Sequence, residues 1–457
     1  MAILPPQDAL FLIMENRQQP THVAGLQLFE PPEDAGPEWL REQYEQALDT
    51  PVTDRRFTRR ARRSPRLLGQ WEWVDDDQFD IEYHVRHSAV HRPGRIRELL
   101  ALTSRLHGNL LDRRRPLWEA HVIEGLEDGR IATYTKVHHS MVDGVAAMRL
   151  LSDSLSEDPD ARDVRLPWSV ERDEPAKKPG PAISPFRLLE LGMEVFTDIY
   201  GVSAATVTSL LRSFVEEAAT LPFQAPNSIL NVPITGARRF AAQSWEIERL
   251  INVKDATGMT VNDVVLAMSA GALRQHLLDL DALPDRPLIA MVPVSLRSAE
   301  EAGEGGNAVG LILCNLGTHE PDPQRRLELI RASMHEGKER MRGLNQRQSV
   351  ILSAIASAPM VLGPLFKVDG IIKPPFNLVI SNVPGPRKPL YWNGARLDGT
   401  YPLSIPLDGQ AMNITVTSYV DHMEFGLTGC RRTVPHLQRM LTGLEDSLAE
   451  LEKVAGV

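Results

Sequence analysis

The chain has 457 residues, a formal net charge of −10, and 42% hydrophobic and 24% charged residues. That length suggests two or three domains, and the ordinary globular composition excludes a disordered tail, a collagen-like fibre and a coiled-coil rod. The acidic balance argues against a dedicated nucleic-acid binder, which carries a basic domain; the two cysteines, Cys314 and Cys430, are too few for a disulfide framework or a zinc cluster and read as buried thiols in a reducing compartment.

The opening, MAILPPQDALFLIMEN, has no basic n-region, and prolines and Asp8 interrupt it, so it does not read as a secretory signal. No apolar stretch is long enough to span a membrane; residues 353–366 approach it but carry Pro359 and Pro364. A cytoplasmic protein is expected, with any membrane contact peripheral. The first block runs to about residue 156. It holds a strand around 27–29, a helix over 39–48 and an alternating, half-buried strand over 79–85. Leu99, Leu102, Leu106 and Leu110 recur at helical spacing. Residues 131–137 are β-branched and aromatic and read as a strand. A helix over 145–156 follows.

Residues 157–185 are rich in Asp, Glu, Lys and Pro and read as an exposed linker. Residues 186–221 are amphipathic, with Arg187, Glu190, Glu194 and Asp198 on one face. A helix packed on a domain, or one lying on a membrane surface, accounts for that pattern. The second block runs from 226 to 457. Asn262 and Asp263 are able to cap a helix over 264–278. Strands are expected at 288–294, 378–381, 414–419 and 423–427, and a helix at 325–341. Leu437, Met440, Leu441, Leu444, Leu448 and Leu451 form a C-terminal core stripe. The economical reading is two α/β sandwich domains, 1–156 and 226–457, joined by 157–225.

The predicted strand over 131–137 stops at His138-His139-Ser140-Met141-Val142-Asp143-Gly144. A strand end and tight turn present side chains to a cleft, and neighbouring strand residues face opposite sides. The two histidines therefore differ in role. One suits a general base near neutral pH. Asp143 is an orienting carboxylate or one half of a structural ion pair, and Gly144 would relieve a strained turn. A bare His-His pair is also compatible with a purely structural role. A metal site needs a third ligand; Asp143 could serve, but no Cys/His or HExxH pattern supports it, so none is expected. No GxSxG elbow and no Cys beside a His support covalent catalysis. Direct attack with a histidine base remains. Two arginine clusters, Arg55, Arg56, Arg59, Arg60, Arg62, Arg63 and Arg66, then Arg113, Arg114 and Arg115, are a solvated face, a site for anionic headgroups, or a site for CoA phosphates.

Further motifs occur in a fixed order: Asp8, Phe11 and Leu12 with Pro20-Thr21-His22-Val23, then Pro116-Leu117-Trp118-Glu119, Asn262-Asp263, and Ser381-Asn382-Val383-Pro384-Gly385-Pro386. With the histidine segment read as HHxxxDG, the chain resembles the bacterial wax ester synthase/diacylglycerol acyltransferase family over nearly its whole length. That family is a branch of the chloramphenicol acetyltransferase-like, CoA-dependent acyltransferases. HHxxxDG alone is shared with peptide-synthetase condensation domains; the ordered set is more specific. The chain departs from the family at Thr21, usually Met, and at Leu316-Gly317-Thr318, usually Leu-Pro-Thr. Both departures bear on the acyl channel.

The resemblance implies two chloramphenicol acetyltransferase-like α/β sandwich domains with a channel between them and His139 near its middle. It implies transfer of a long-chain acyl group from fatty acyl-CoA to diacylglycerol or a long-chain alcohol, with acyl-CoA as substrate and no cofactor. His139 is then the general base, His138 supports the turn, and Asp143 pairs with Arg297 of the other domain. Trp118 belongs to the core. Asn262 and Asp263 are either substrate contacts or an ordinary helix cap, and Ser381 and Asn382 line the channel near its CoA end. The protein would meet the inner membrane or lipid inclusions peripherally. The alternatives are a condensation-type enzyme using a carrier-protein thioester and a non-catalytic lipid-inclusion protein.

Overall fold

The structure is a computed structural model that describes residues 2–65, 69–170, 225–295, 309–342 and 374–457. The N-terminal part carries β1 (Ala2–Ile3), α1 (Pro6–Met14), β2 (His22–Glu30), α2 (Trp39–Asp49), β3 (Arg59–Arg63), β4 (Trp71–Asp75), α3 (Ile81–His84), β5 (Val85–Ala89), α4 (Ile96–Gly108), β6 (Trp118–Glu124), β7 (Ile131–His138) and α5 (Gly144–Asp153). The C-terminal part carries β8 (Arg238–Glu246), α6 (Ile247–Thr257), α7 (Val261–Asp279), β9 (Ile289–Ser295), β10 (Val309–Asn315), α8 (Pro323–Arg342), β11 (Leu378–Val383), β12 (Tyr391–Trp392), β13 (Ala395–Leu403), β14 (Met412–Tyr419), β15 (His422–Cys430) and α9 (Arg439–Ala455).

Two six-stranded sheets organise the molecule. One has the order β12-β13-β2-β7-β6-β5 and the other β10-β9-β11-β14-β15-β8. A third, small sheet is β1-β4-β3. The division drawn at 156 and 226 does not respect the first sheet. β12 and β13 come from the C-terminal part, and β13 pairs antiparallel with β2 from Arg396↔Glu30 to Leu403↔Ala24. Local periodicity marks a strand but does not name its partner, so this exchange was invisible in the pattern. The two sheets meet closely: a Cβ on Gly426 of β15 would stand 2.0 Å from the Pro402 carbonyl of β13. Only glycine permits that approach.

Other expectations change with tertiary context. Residues 79–85 are not one strand, because Asp80 accepts the Glu82 N–H and caps the short helix α3 ahead of β5. Residues 157–170 are not free linker. Trp168 is buried against Trp118, and the Asp54 N–H donates to the Trp168 carbonyl at 3.2 Å. The amphipathic stretch 186–221 and the apolar stretch 353–366 lie outside the described residues. Among those described, no helix is long and apolar enough to cross a membrane. Cys314 and Cys430 are free thiols, both buried.

Candidate active site

The histidine turn is anchored on β2. His22 pairs with His138 in register, and the His139 N–H donates to the Thr21 carbonyl at 3.0 Å. Alternation sends Tyr134, Lys136 and His138 to one face of β7. His138 is completely buried. Its Nδ1 accepts the Ser140 backbone N–H at 3.1 Å, so the ring proton sits on Nε2. Nε2–H donates to Thr21 Oγ1 at 3.0 Å, and that hydroxyl donates to the Phe11 carbonyl at 3.0 Å. Glu15 Oε2 lies 3.4 Å from the same nitrogen, and Arg113 Nε holds Glu15 at 2.9 Å. Burial alone would raise the Glu15 pKa. His138 and Arg113 outweigh it and hold the carboxyl below its ordinary value. Both ring nitrogens of His138 are therefore engaged inside the protein.

His139 is placed differently. It keeps part of its surface exposed. The Phe11 ring, from α1, stacks on it with centroids 4.1 Å apart and planes 20° from parallel. Close packing around the ring pushes its pKa down to about 4, against the opposing pull of the Asp143 carboxylate. The imidazole is neutral at neutral pH. Its own backbone carbonyl opposes that shift as well. Among the described residues no other residue hydrogen-bonds the ring.

Asp143 is the N-cap of α5. Its Oδ1 accepts the Ala146 N–H at 2.7 Å, and its charge suits a helix N-terminus. Arg297 lies outside the described residues. The strained turn expected at Gly144 is absent. Gly144 is the first residue of α5, and no residue from 139 to 144 has a positive φ. The extended Asp143 leads straight into the helix, so the backbone there does not require glycine. A Cβ on Gly144 would meet no atom within 4 Å. A Cβ on Gly25 of β2 would stand 2.3 Å from Leu151 Cδ1 of α5, so the end of that leucine would have to turn aside.

Trp118 is core: its Nε1–H donates to the Phe57 carbonyl at 2.9 Å, and its ring stacks on His84 and Trp168. The cap of α7 is Thr260, not Asn262 or Asp263. Asp263 closes a capping box by accepting the Thr260 N–H at 3.0 Å, and its Oδ1 is buried without a partner among the described residues. Asn262 is half-buried on the first turn. Ser381 and Asn382 are half-buried near the end of β11. The next residue, Val383, packs on Val145, Met148 and Leu151 of α5. The Ser381–Asn382 segment is thereby brought against the helix that the histidine turn begins.

Glu15, Phe11 and Arg113 were not singled out as site residues from sequence. Arg113 reads as one member of a charge run, and Glu15 as the polar end of an apolar helix. Thr21 sits behind His138 and is fully buried, so this departure from the family bears on support of the histidine, not on the acyl channel. The arginine clusters are largely neutralised. Arg55 and Arg59 pair with Asp75, Arg56 with Asp54, Arg60 with Asp76, Arg62 with Glu72, and Arg114 with Asp112. Arg63 and Arg115 lie over the Trp71 and Tyr83 rings at 4.9 and 3.9 Å. Arg66 lies outside the described residues. Little of this charge is left for phosphate.

Two linked α/β sheets carrying a histidine turn at a strand end define a chloramphenicol acetyltransferase-like fold. The starter condensation domain of rhizomide synthetase shares it, with a TM-score of 0.59 at 13% identity over 100% of this chain and 94% of that one. The "Wax ester synthase/diacylglycerol acyltransferase catalytic domain" matches residues 4–265, and the "WS/DGAT C-terminal domain" matches residues 305–452. The chain belongs to the wax ester synthase/diacylglycerol acyltransferase family and is an acyltransferase. A Mycobacterium tuberculosis protein named "Probable diacyglycerol O-acyltransferase" is 50% identical over the full length of both chains. "O-acyltransferase WSD" of Acinetobacter baylyi is 42% identical over 99% of this chain and 98% of its own. The wax ester synthase/diacylglycerol acyltransferase of Marinobacter aquaeolei superposes with a TM-score of 0.80 at 44% identity, over 100% of both chains.

Proposed function

We propose that the protein transfers a long-chain fatty acyl group from acyl-CoA to the hydroxyl of diacylglycerol or a long-chain alcohol, with His139 as general base. The observation that carries this reading is the neutral His139 ring, partly exposed and free of hydrogen bonds to other described residues, beside a fully locked His138. Nε2 takes the acceptor's O–H proton as the oxygen attacks the thioester carbonyl. The tetrahedral intermediate collapses with cleavage of the C–S bond. The protonated His139 then returns the proton to the CoA thiolate, leaving ester and free thiol. General base catalysis of this kind is worth about 100- to 10,000-fold in rate.

Asp143 holds the turn through its cap. Asn262, Ser381 and Asn382 are assigned to substrate contact, and Asp263 to the capping box. Both proposed acceptors partition into lipid, so the protein meets them at a membrane or lipid-inclusion surface, held there peripherally. The test is thiol release from palmitoyl-CoA with dioleoylglycerol, with hexadecanol and with no acceptor, the lipid products being resolved by thin-layer chromatography. Acceptor-dependent ester that disappears in His139→Ala is expected. Folded protein that binds acyl-CoA but forms no ester with either acceptor would remove the proposal. Sedimentation with neutral and anionic liposomes tests the surface contact, and no binding to either would remove it.

A further inference from the structure

A histidine base is usually oriented by a hydrogen bond that its ring N–H donates to a carboxylate or a carbonyl of another residue. Among the described residues none reaches the His139 ring. The nearby carboxylate, Asp143, is committed to the Ala146 N–H of α5. No hydrogen bond from another described residue therefore sets the ring plane. What does lie against the plane is Phe11, at 4.1 Å between centroids and 20° from parallel.

Phe11 is itself held. Its carbonyl accepts the Thr21 hydroxyl at 3.0 Å and also the Glu15 N–H at 3.0 Å. Arg113 clamps the end of the same helix, donating to the Leu12 carbonyl at 2.7 Å and to the Glu15 carboxylate. Helix α1 is thus tied to the histidine turn by polar contacts, and Phe11 is the side chain it lays on the base.

We infer that Phe11 is a positioning residue: its ring face sets the plane of the His139 imidazole and shields it from water. This rests on His139 being the base. A side chain that orients the base without touching substrate lowers kcat when removed and leaves substrate binding alone.

The test is Phe11→Leu, Phe11→Met and Phe11→Tyr in the full chain, with palmitoyl-CoA and hexadecanol, each variant checked by melting temperature. Phe11→Leu and Phe11→Met are expected to lower kcat about two- to tenfold, the size of one lost aromatic pair, with KM for both substrates unchanged. The acid limb of kcat/KM should move up from about 4 toward the ordinary histidine value of 6.5 as water reaches the ring. Phe11→Tyr, which keeps the ring face, should restore both readouts. If either non-aromatic variant folds and keeps kcat and the acid limb while His139→Ala is inactive, the positioning role is wrong. If His139→Ala stays active, the base assignment fails instead.

Discussion

The two six-stranded sheets bury different chemistry. The C-terminal sheet packs α7, α8 and α9 around an extended apolar core that includes Leu266, Leu273, Ile330, Ile414, Leu444 and Leu448. The N-terminal sheet buries charge and imidazole beside its leucines. Lys136 is fully buried, 2.6 Å from Glu119, and donates to the Leu106 and Asn109 carbonyls. Burial would raise Glu119, but His121 and Lys136 hold its carboxyl at about 2. His22 donates to the His107 carbonyl at 2.7 Å, and His107 contacts the Tyr134 hydroxyl at 3.0 Å. Burial pushes His107 down to about 3 and His22 well below its ordinary value. A buried apolar side chain stabilises without directional demand, whereas a buried ion must be matched atom by atom. The N-terminal sheet is built to one geometry around the histidine turn, and the C-terminal sheet supplies bulk stability.

One substitution in each layer sharpens this contrast. Lys136→Ala removes the nearer of two cations on the buried Glu119, Arg86 remaining at 3.7 Å, and should lose up to about 3–5 kcal/mol in urea titration at pH 7. Leu444→Ala should lose a similar amount, about 2–5 kcal/mol, through a cavity. Acid separates them: protonation of Glu119 relieves the Lys136→Ala defect, while the Leu444→Ala defect stays constant. Equal pH dependence of the two would break the comparison.

Particular buried groups in the two layers lose stability at opposite ends of the pH scale. His22, His107 and His139 have folded pKa values below 6.5. The unfolded chain therefore takes up protons first, and stability is lost as pH falls below 6.5, by up to about 1.4 kcal/mol per unit for each group. Glu424 of β15 is the reverse case. It is buried with Oε1 unpartnered among the described residues, and accepts the Ser244 hydroxyl on Oε2. Burial raises its pKa to about 8, so stability is lost as pH rises from about 4.5 toward 8. Glu424→Gln should raise the melting temperature at pH 8 and leave it unchanged at pH 4.5. A gain independent of pH would contradict the buried-acid reading.

Smaller effects belong to the surface of the turn. Asp143→Ala removes the α5 cap and should lose about 0.5–2 kcal/mol, with lower activity and lower yield of folded protein. A normally melting but inactive Asp143→Ala would contradict its structural role. Arg55→Ala breaks only an exposed pair with Asp75 and should change stability by less than about 1 kcal/mol.

Much of this was legible in the sequence where periodicity is strong. The helices at 39–48, 264–278 and 325–341, and the hairpin at 414–427, lie within a few residues of α2, α7, α8 and β14–β15. The histidine turn was legible because a β-branched strand runs directly into it. The partnership of β13 with β2 was not, because pairing across more than 350 residues leaves no local trace. The Phe11, Glu15 and Thr21 shell was also hidden. Its members look like a core aromatic, a helix end and a strand start, and only the close approach of α1 to the turn joins them. The arginine-rich run misled for a related reason: Asp75 and Glu72, which pair with Arg59 and Arg62, stand across the β3–β4 pairing.

The division of labour between the two histidines is tested most directly by measuring acyl transfer and melting temperature for His138→Ala and His139→Ala side by side. His139→Ala should melt like the parent and lose about 100- to 10,000-fold in kcat. His138→Ala should melt lower, because it strands the Ser140 N–H, Thr21 and Glu15 in the interior. An active His139→Ala, or a His138→Ala that melts normally yet is inactive, would contradict the assignment of the base to His139.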